Sequence, residues 1–287
     1  MKEYTQLLGK RRSLVGIVTD NETFSPHQKR KTGAVLLNAG LIHHIGPNRI
    51  YVKLARQIAA LGIVALRFDL SGIGDSLPRS DSLPREAAAV EETREAMDYL
   101  QHVKGVDDVI LITACASTPL AFLVAESDTR VTGCILINPM APTNPDLTYQ
   151  MTSTRYYWTQ AVFNKDSWLK LLKFQASFEH IWKATCFLIT SKLFSNHHAK
   201  PETAPIVERM IDILDIFKER GLKILAVSSE NEFGIQFIKE MLGEKYFEIE
   251  RTGIIKTELL PRTDHNVTPI RSQNKLVTLI ADWIKAL

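Results

Sequence analysis

Residues 108–126 read DVILITACASTPLAFLVAE. The stretch opens on an unbroken apolar run, Val109 to Ile112, that is short, partly β-branched and bounded by charge. Such a run fits a strand covered on both faces in a parallel sheet. Small residues follow at 113–117, TACAS, and then Leu120, Leu123 and Val124 recur at helical spacing. The reading is strand, tight turn, helix, with Cys115 at the turn. A sharp turn of this kind exposes a nucleophile at its apex and requires small neighbours, because a Cβ two residues away crowds the strained apex. Ala114 and Ala116 meet that need.

The surrounding chain repeats the same rhythm. Strands are expected at residues 14–18, 34–37, 63–68, 109–112, 131–137 and 223–227, and shorter ones at 247–249 and 257–260. Helical spacing marks residues 51–61, stopped by Gly62, and then 86–102, 205–220, 235–242 and 275–287. Strands alternating with helices imply a mainly parallel, doubly wound α/β sheet, whose ligands gather at the carboxyl ends of the strands. Gly40, Asp69, Cys115 and Pro139 all fall at such ends. Between 141 and 205 the rhythm breaks into an aromatic-rich segment that includes Tyr156, Tyr157, Trp158, Trp168 and Trp182. It reads as a mainly helical lid insertion. The expected division is a core in two parts, 1–140 and 206–287, with the lid at 141–205.

Composition bounds the function classes. A formal net charge of +3 on 287 residues is small and argues neither for nucleic acid nor for a membrane surface as partner, and none is expected. The basic run HQKRK at 27–31 has no interleaved aromatics and reads as a solvated loop. No apolar run approaches the roughly 18–20 residues of a membrane span. The opening MKEYTQLLGKRRS is charged and lacks an apolar core, so a cytoplasmic location is expected. Cys115, Cys134 and Cys186 lack the spacing of a zinc site or a disulfide framework; Cys134 and Cys186 read as packing residues. The adjacent pairs His43-His44 and His197-His198 also lack metal-ligand spacing. No metal and no cofactor is expected.

Acyl transfer by a nucleophile needs a base to take its proton and an acid to orient that base. Cys115 follows one strand, Glu230 and Glu232 follow another in SSENEFG (228–234), and His265 follows the last in TDHN (263–266). The oxyanion formed on attack needs two N–H donors. Ala116, after the nucleophile, offers one; the loop after strand 34–37 offers the other, best at Leu41, with Gly40 allowing close approach. His43 and His44 are candidate pocket residues. Asp69, Asp75 and Asp264 read as structural.

These features resemble the α/β-hydrolases, and within them the serine-aminopeptidase-like group. They are especially similar to bacterial hydrolases associated with exosortase systems and with biosynthetic clusters. The resemblance is carried by LLNAG (36–40), GPNR (46–49), RFDLSGIGDS (67–76), Asp264-His265 and ADW (281–283). It implies the α/β-hydrolase fold and the chain order nucleophile, acid, histidine. In that group the nucleophile is often a cysteine in a Gly-x-Cys-x-Gly frame; here Thr113 and Ser117 replace both glycines. The resemblance favours Glu232 as the acid, with Glu230 the alternative, and Ser117 stands as the alternative nucleophile. The expected activity is a thioesterase or acyltransferase acting through an acyl-cysteine on a coenzyme A- or carrier-protein-bound thioester, with an acyl or peptidyl carrier protein as candidate partner. The competing readings are a serine-type ester or peptide hydrolase and a non-catalytic acyl- or partner-binding protein.

Overall fold

A computed structural model of the protein describes residues 1–21, 31–140, 204–230 and 232–287. Eight strands form one sheet: β1 (Lys2–Leu8), β2 (Leu14–Asp20), β3 (Thr32–Leu36), β4 (Val64–Phe68), β5 (Asp108–Ala114), β6 (Val131–Ile137), β7 (Lys223–Ser229) and β8 (Ile255–Leu260). Their spatial order is β1-β2-β4-β3-β5-β6-β7-β8. The β1–β2 and β2–β4 pairs are antiparallel; every pair from β4 to β8 is parallel.

The helices among the described residues are α1 (Ile50–Ala60), α2 (Arg85–Lys104), α3 (Thr118–Ser127), α4 (Ala204–Arg220), α5 (Gly234–Leu242), α6 (Glu244–Arg251) and α7 (Ile270–Lys285). They divide between the two faces. Val109 and Leu111 of β5 pack with Met97 and Leu100 of α2, Val124 of α3 and Phe217 of α4. Ile110, Ile112 and Ala114 pack with Leu54 and Ile58 of α1 and Leu276 and Ile280 of α7. Alternate residues of one strand therefore enter opposite cores, which is why Val109 to Ile112 of β5 is an unbroken apolar run instead of alternating.

Two expectations change. The segment at 247–249 is part of helix α6, not a strand. Tyr246 and Ile249 are its buried residues, three apart on one face, while Phe247 is exposed. The strand beginning at Leu14 is second in the sheet, because Lys2–Leu8 forms an edge strand ahead of it. The expected lid lies outside the described residues up to 203; Ala204 already belongs to α4. No helix among the described residues is long and apolar enough to cross a membrane.

Candidate active site

Strand β5 ends at Ala114, whose φ of −134° is still extended, and Cys115 then turns to φ +56°. A residue with a Cβ seldom takes that conformation, and it persists only where its surroundings enforce it. Residues Cys115–Ser117 make one tight turn and α3 begins at Thr118, with Pro119 in its first turn. The apex thiol is half-buried. The Ala116 backbone N–H helps to hold the pKa of this thiol down. Met140, just past β6, places Sδ 3.8 Å from the same sulfur.

His265, in the loop after β8, is hydrogen-bonded to Cys115. Its Nδ1 lies 3.1 Å from Glu232 Oε2, which leaves Nε2 for the sulfur. The hydrogen bond from His265 holds the Cys115 thiol below its usual range, against the opposing effect of burial. Bonds to Cys115 and then to Glu232 push His265 up to about 10. The two shifts have one cause: each group stabilises the charged form of the other. The pair is set for a thiolate and an imidazolium, with the Glu232 carboxylate behind the ring. Glu230 faces elsewhere: its carboxylate accepts the backbone N–H of Arg262 and so pins the start of the histidine loop.

The loop after β3 is tied down amide by amide. Pairing with β5 continues to Leu37, whose N–H donates to the Ile112 carbonyl at 2.9 Å. The Gly40 N–H donates to Ser117 Oγ at 3.3 Å, and the Ile42 N–H to the Ala39 carbonyl at 3.2 Å. The Leu41 N–H, between them, makes no hydrogen bond among the described residues. Gly40 sits at φ +62°, which reverses the chain at this point. Ser117 is buried, and its hydroxyl donates to the Asn38 carbonyl. Thr113 is also buried, and its hydroxyl has no hydrogen-bond partner among the described residues.

The mostly parallel eight-stranded sheet with its flanking helices is similar to solved structures over nearly the whole chain. The chain is similar to the proline iminopeptidase of Mycobacterium smegmatis, with 14% identity, coverage of 99% of this chain and 98% of that one, and a TM-score of 0.54. It is similar to Est1E of Butyrivibrio proteoclasticus, whose structure holds ferulic acid, with 11% identity, coverage of 95% and 94%, and a TM-score of 0.56. It is also similar to a protein of unknown function from Agrobacterium tumefaciens described as a putative α/β-hydrolase, with 13% identity, coverage of 99% and 95%, and a TM-score of 0.53. The chain has the α/β-hydrolase fold. No protein-family model matches the sequence, and no curated protein does.

On this α/β-hydrolase scaffold a second polar network supports the site. Asp69, fully buried after β4, accepts from Asn38 Nδ2 at 2.8 Å, the His44 N–H at 2.6 Å, the His44 ring at 2.7 Å and the Asp75 N–H at 3.1 Å. Burial raises its pKa, but the bonds from His44, Asn38 and Asp75 outweigh that and hold it below the usual carboxylate range. His44, Asp69 and Asp75 are close enough together to resemble a metal cluster. Both Asp69 oxygens already accept two N–H donors each, however, so the group is a hydrogen-bonded brace and not a cation cage. Of the two pocket histidines expected from sequence, His44 is buried in this brace while His43 is exposed on the same loop. Gly74 permits the close approach, since a Cβ there would meet Asp69 and, at 2.7 Å, the Cβ of His43.

Two residues with structural weight at the site carry no chemical motif. Asn38 Oδ1 accepts the Leu70 N–H at 2.8 Å while its Nδ2 donates to the Ile42 carbonyl at 3.0 Å. Asn138, at φ +47°, accepts the Ser229 N–H at 2.6 Å and donates to the His265 carbonyl at 2.6 Å. The available signal was position: each asparagine follows an apolar strand, where its paired donor and acceptor suit a strand-end brace, and at Asn138 its tolerance of left-handed backbone does so too.

Proposed function

We propose that the protein is an acyl-transfer enzyme, a thioesterase or acyltransferase, with Cys115 as nucleophile, His265 as base and Glu232 as the orienting acid. The observation that carries this reading is the shared shift of Cys115 and His265 at a strained strand end, with Glu232 on the far side of the imidazole.

In this mechanism the Cys115 thiolate attacks the carbonyl carbon of a thioester. The Leu41 and Ala116 N–H groups receive the oxyanion. The tetrahedral adduct collapses by breaking the bond to the departing sulfur, which takes the proton from His265 Nε2. The resulting acyl-cysteine is then attacked by water, an amine, an alcohol or a thiol, whose proton passes to His265 as the Cys115 thiolate leaves. A thioester is favoured as donor because transfer from one sulfur to another is near balance in energy. The resemblance of the sequence to biosynthetic-cluster hydrolases supports a donor carried by coenzyme A or a carrier protein.

The test is the intact mass of the protein after mixing with short- and long-chain acyl thioesters, beside Cys115→Ala. An acyl-sized gain that disappears in the variant is the expected result. Ester or peptide hydrolysis that survives Cys115→Ala but not Ser117→Ala would establish the serine-type alternative. That outcome would accord with the names of the esterase and iminopeptidase neighbours. The disposition of Ser117 disfavours it, since its hydroxyl is bonded to Asn38 and Gly40.

A further inference from the structure

Ser117 stands at the N-terminal cap of α3, where serine ordinarily accepts an N–H from the first turn of its own helix. It makes no such bond. Its hydroxyl instead crosses to the loop after β3, donating to the Asn38 carbonyl and accepting the Gly40 N–H at 3.3 Å. One side chain thus grips the loop on both sides of Ala39 and joins it to the turn that carries Cys115. The grip consumes the Gly40 amide. With the Ile42 amide spent on Ala39, Leu41 is left as the unspent donor at the tip. Ser117 is 9% exposed, so water offers little substitute for either bond.

We propose that Ser117 is a positioning residue of the oxyanion hole: its hydroxyl fixes the two peptide units that flank Ala39, directly before the Gly40–Leu41 peptide, so that the Leu41 N–H and the Ala116 N–H are held at one distance from the reacting carbonyl. The proposal deepens the acyl-transfer reading and rests on it. Leu41 lies on a loop and Ala116 on the turn after β5, and without a tie the separation of the two donors would follow the motion of that loop. Alanine would remove the tie while keeping the volume of the Cβ. Glycine at 117 would remove it too.

The experiment compares two reactions of Cys115 in the intact protein. Turnover of an acyl-coenzyme A passes through an oxyanion; alkylation by iodoacetamide is a displacement at carbon and does not. In Ser117→Ala, kcat for the acyl-coenzyme A should fall about 10- to 100-fold, below the full loss expected for deleting an oxyanion donor. KM should move by less than about threefold, since the loss concerns the transition state. The alkylation rate of Cys115 should remain that of the parent, and Ser117→Thr, which keeps the hydroxyl, should retain most of the turnover. Ser117→Gly replaces the alanine variant if the latter fails to fold. An unchanged kcat overturns the proposal. So does a parallel fall in alkylation, which would mean that the hydroxyl supports the thiolate or the general fold. Turnover abolished by Ser117→Ala but retained by Cys115→Ala would overturn the acyl-cysteine reading itself, as would a parent protein that turns over no acyl thioester.

Discussion

At the scale of the residue, the site is a charge pair whose two members hold each other's protonation states. The thiolate of Cys115 forms as pH rises through a value below the ordinary thiol range, and the imidazolium of His265 persists until about pH 10. Between those limits both charges are present. Alkylation of Cys115 should therefore be fast near neutral pH, with its acid limb below the ordinary cysteine pKa of about 8.5. His265→Ala removes the first cause of the depression, so the limb should move up to or past that value and the rate near pH 7 should fall about 10-fold or more. Glu232→Gln should lower the His265 value, drawing the alkaline limb of turnover to lower pH. An iodoacetamide pH–rate profile that is the same in parent and His265→Ala would break the pair. The structure brings together Cys115 and His265, which the sequence singled out as reactive side chains that follow strands. Position along the chain did not separate Glu232, which the resemblance favoured, from Glu230, because both lie within three residues of β7 and only the path of the loop turns one toward His265 Nδ1 and the other toward the Arg262 amide.

At the scale of the element, legibility tracked burial. Strands β3 to β7 sit inside the sheet and announce themselves as continuous apolar runs. Strand β1 is an edge whose residues are mostly exposed, so KEYTQLL shows no such run. Helix α6 has eight residues with only Tyr246 and Ile249 buried, too short a window for a period of 3.6 to be told from one of 2. The exit of α3 was equally invisible. That helix ends at Ser127 with Asp128 extended, and its last carbonyls are met from elsewhere in the chain. Arg220, the last residue of α4, donates to the carbonyls of Ala125, of Asp128 at 3.0 Å and of Val131 at 3.0 Å. One guanidinium thus ends α3, starts β6 and anchors α4, and its planar set of donors suits carbonyls at different angles in a way that an ammonium does not. Arg220→Ala should cost about 2–3 kcal/mol by chemical denaturation, and Arg220→Lys should recover less than half of it. Denaturation midpoints matching the parent in both variants would remove this residue from the account of how α3 is held.

At the scale of the whole molecule, the carboxyl edge of the sheet is assembled by side-chain amides that bridge segments distant in sequence. Asn38 ties the end of β3 to the end of β4. Asn48 reaches the histidine loop, donating to the Asn266 carbonyl at 2.9 Å and to Thr268 at 3.2 Å. Asn138 joins three segments: from the end of β6 it holds Ser229, 91 residues away, and the carbonyl of His265, 127 residues away. Glu232 follows Ser229 by one turn, so this one carboxamide touches the segments that carry both Glu232 and His265. The tight approach of neighbouring chain supports the same point, because a Cβ at Gly234 would strike the Pro139 carbonyl next to Asn138. The expectation is that Asn138→Ala leaves the buried Ser229 N–H unmatched, at about 1–3 kcal/mol, and releases the His265 carbonyl from its tether. Asn138→Asp keeps the shape and the acceptor but sets a carboxylate oxygen against the His265 carbonyl, so it should lose turnover as well. Lower kcat in both variants, with Cys115 alkylation near neutral pH slowed because His265 is no longer held against the sulfur, is the expected pattern. Turnover within about twofold of the parent in Asn138→Asp would mean that the histidine loop finds its place without the bridge, since a lost hydrogen bond at a reacting centre costs more than that.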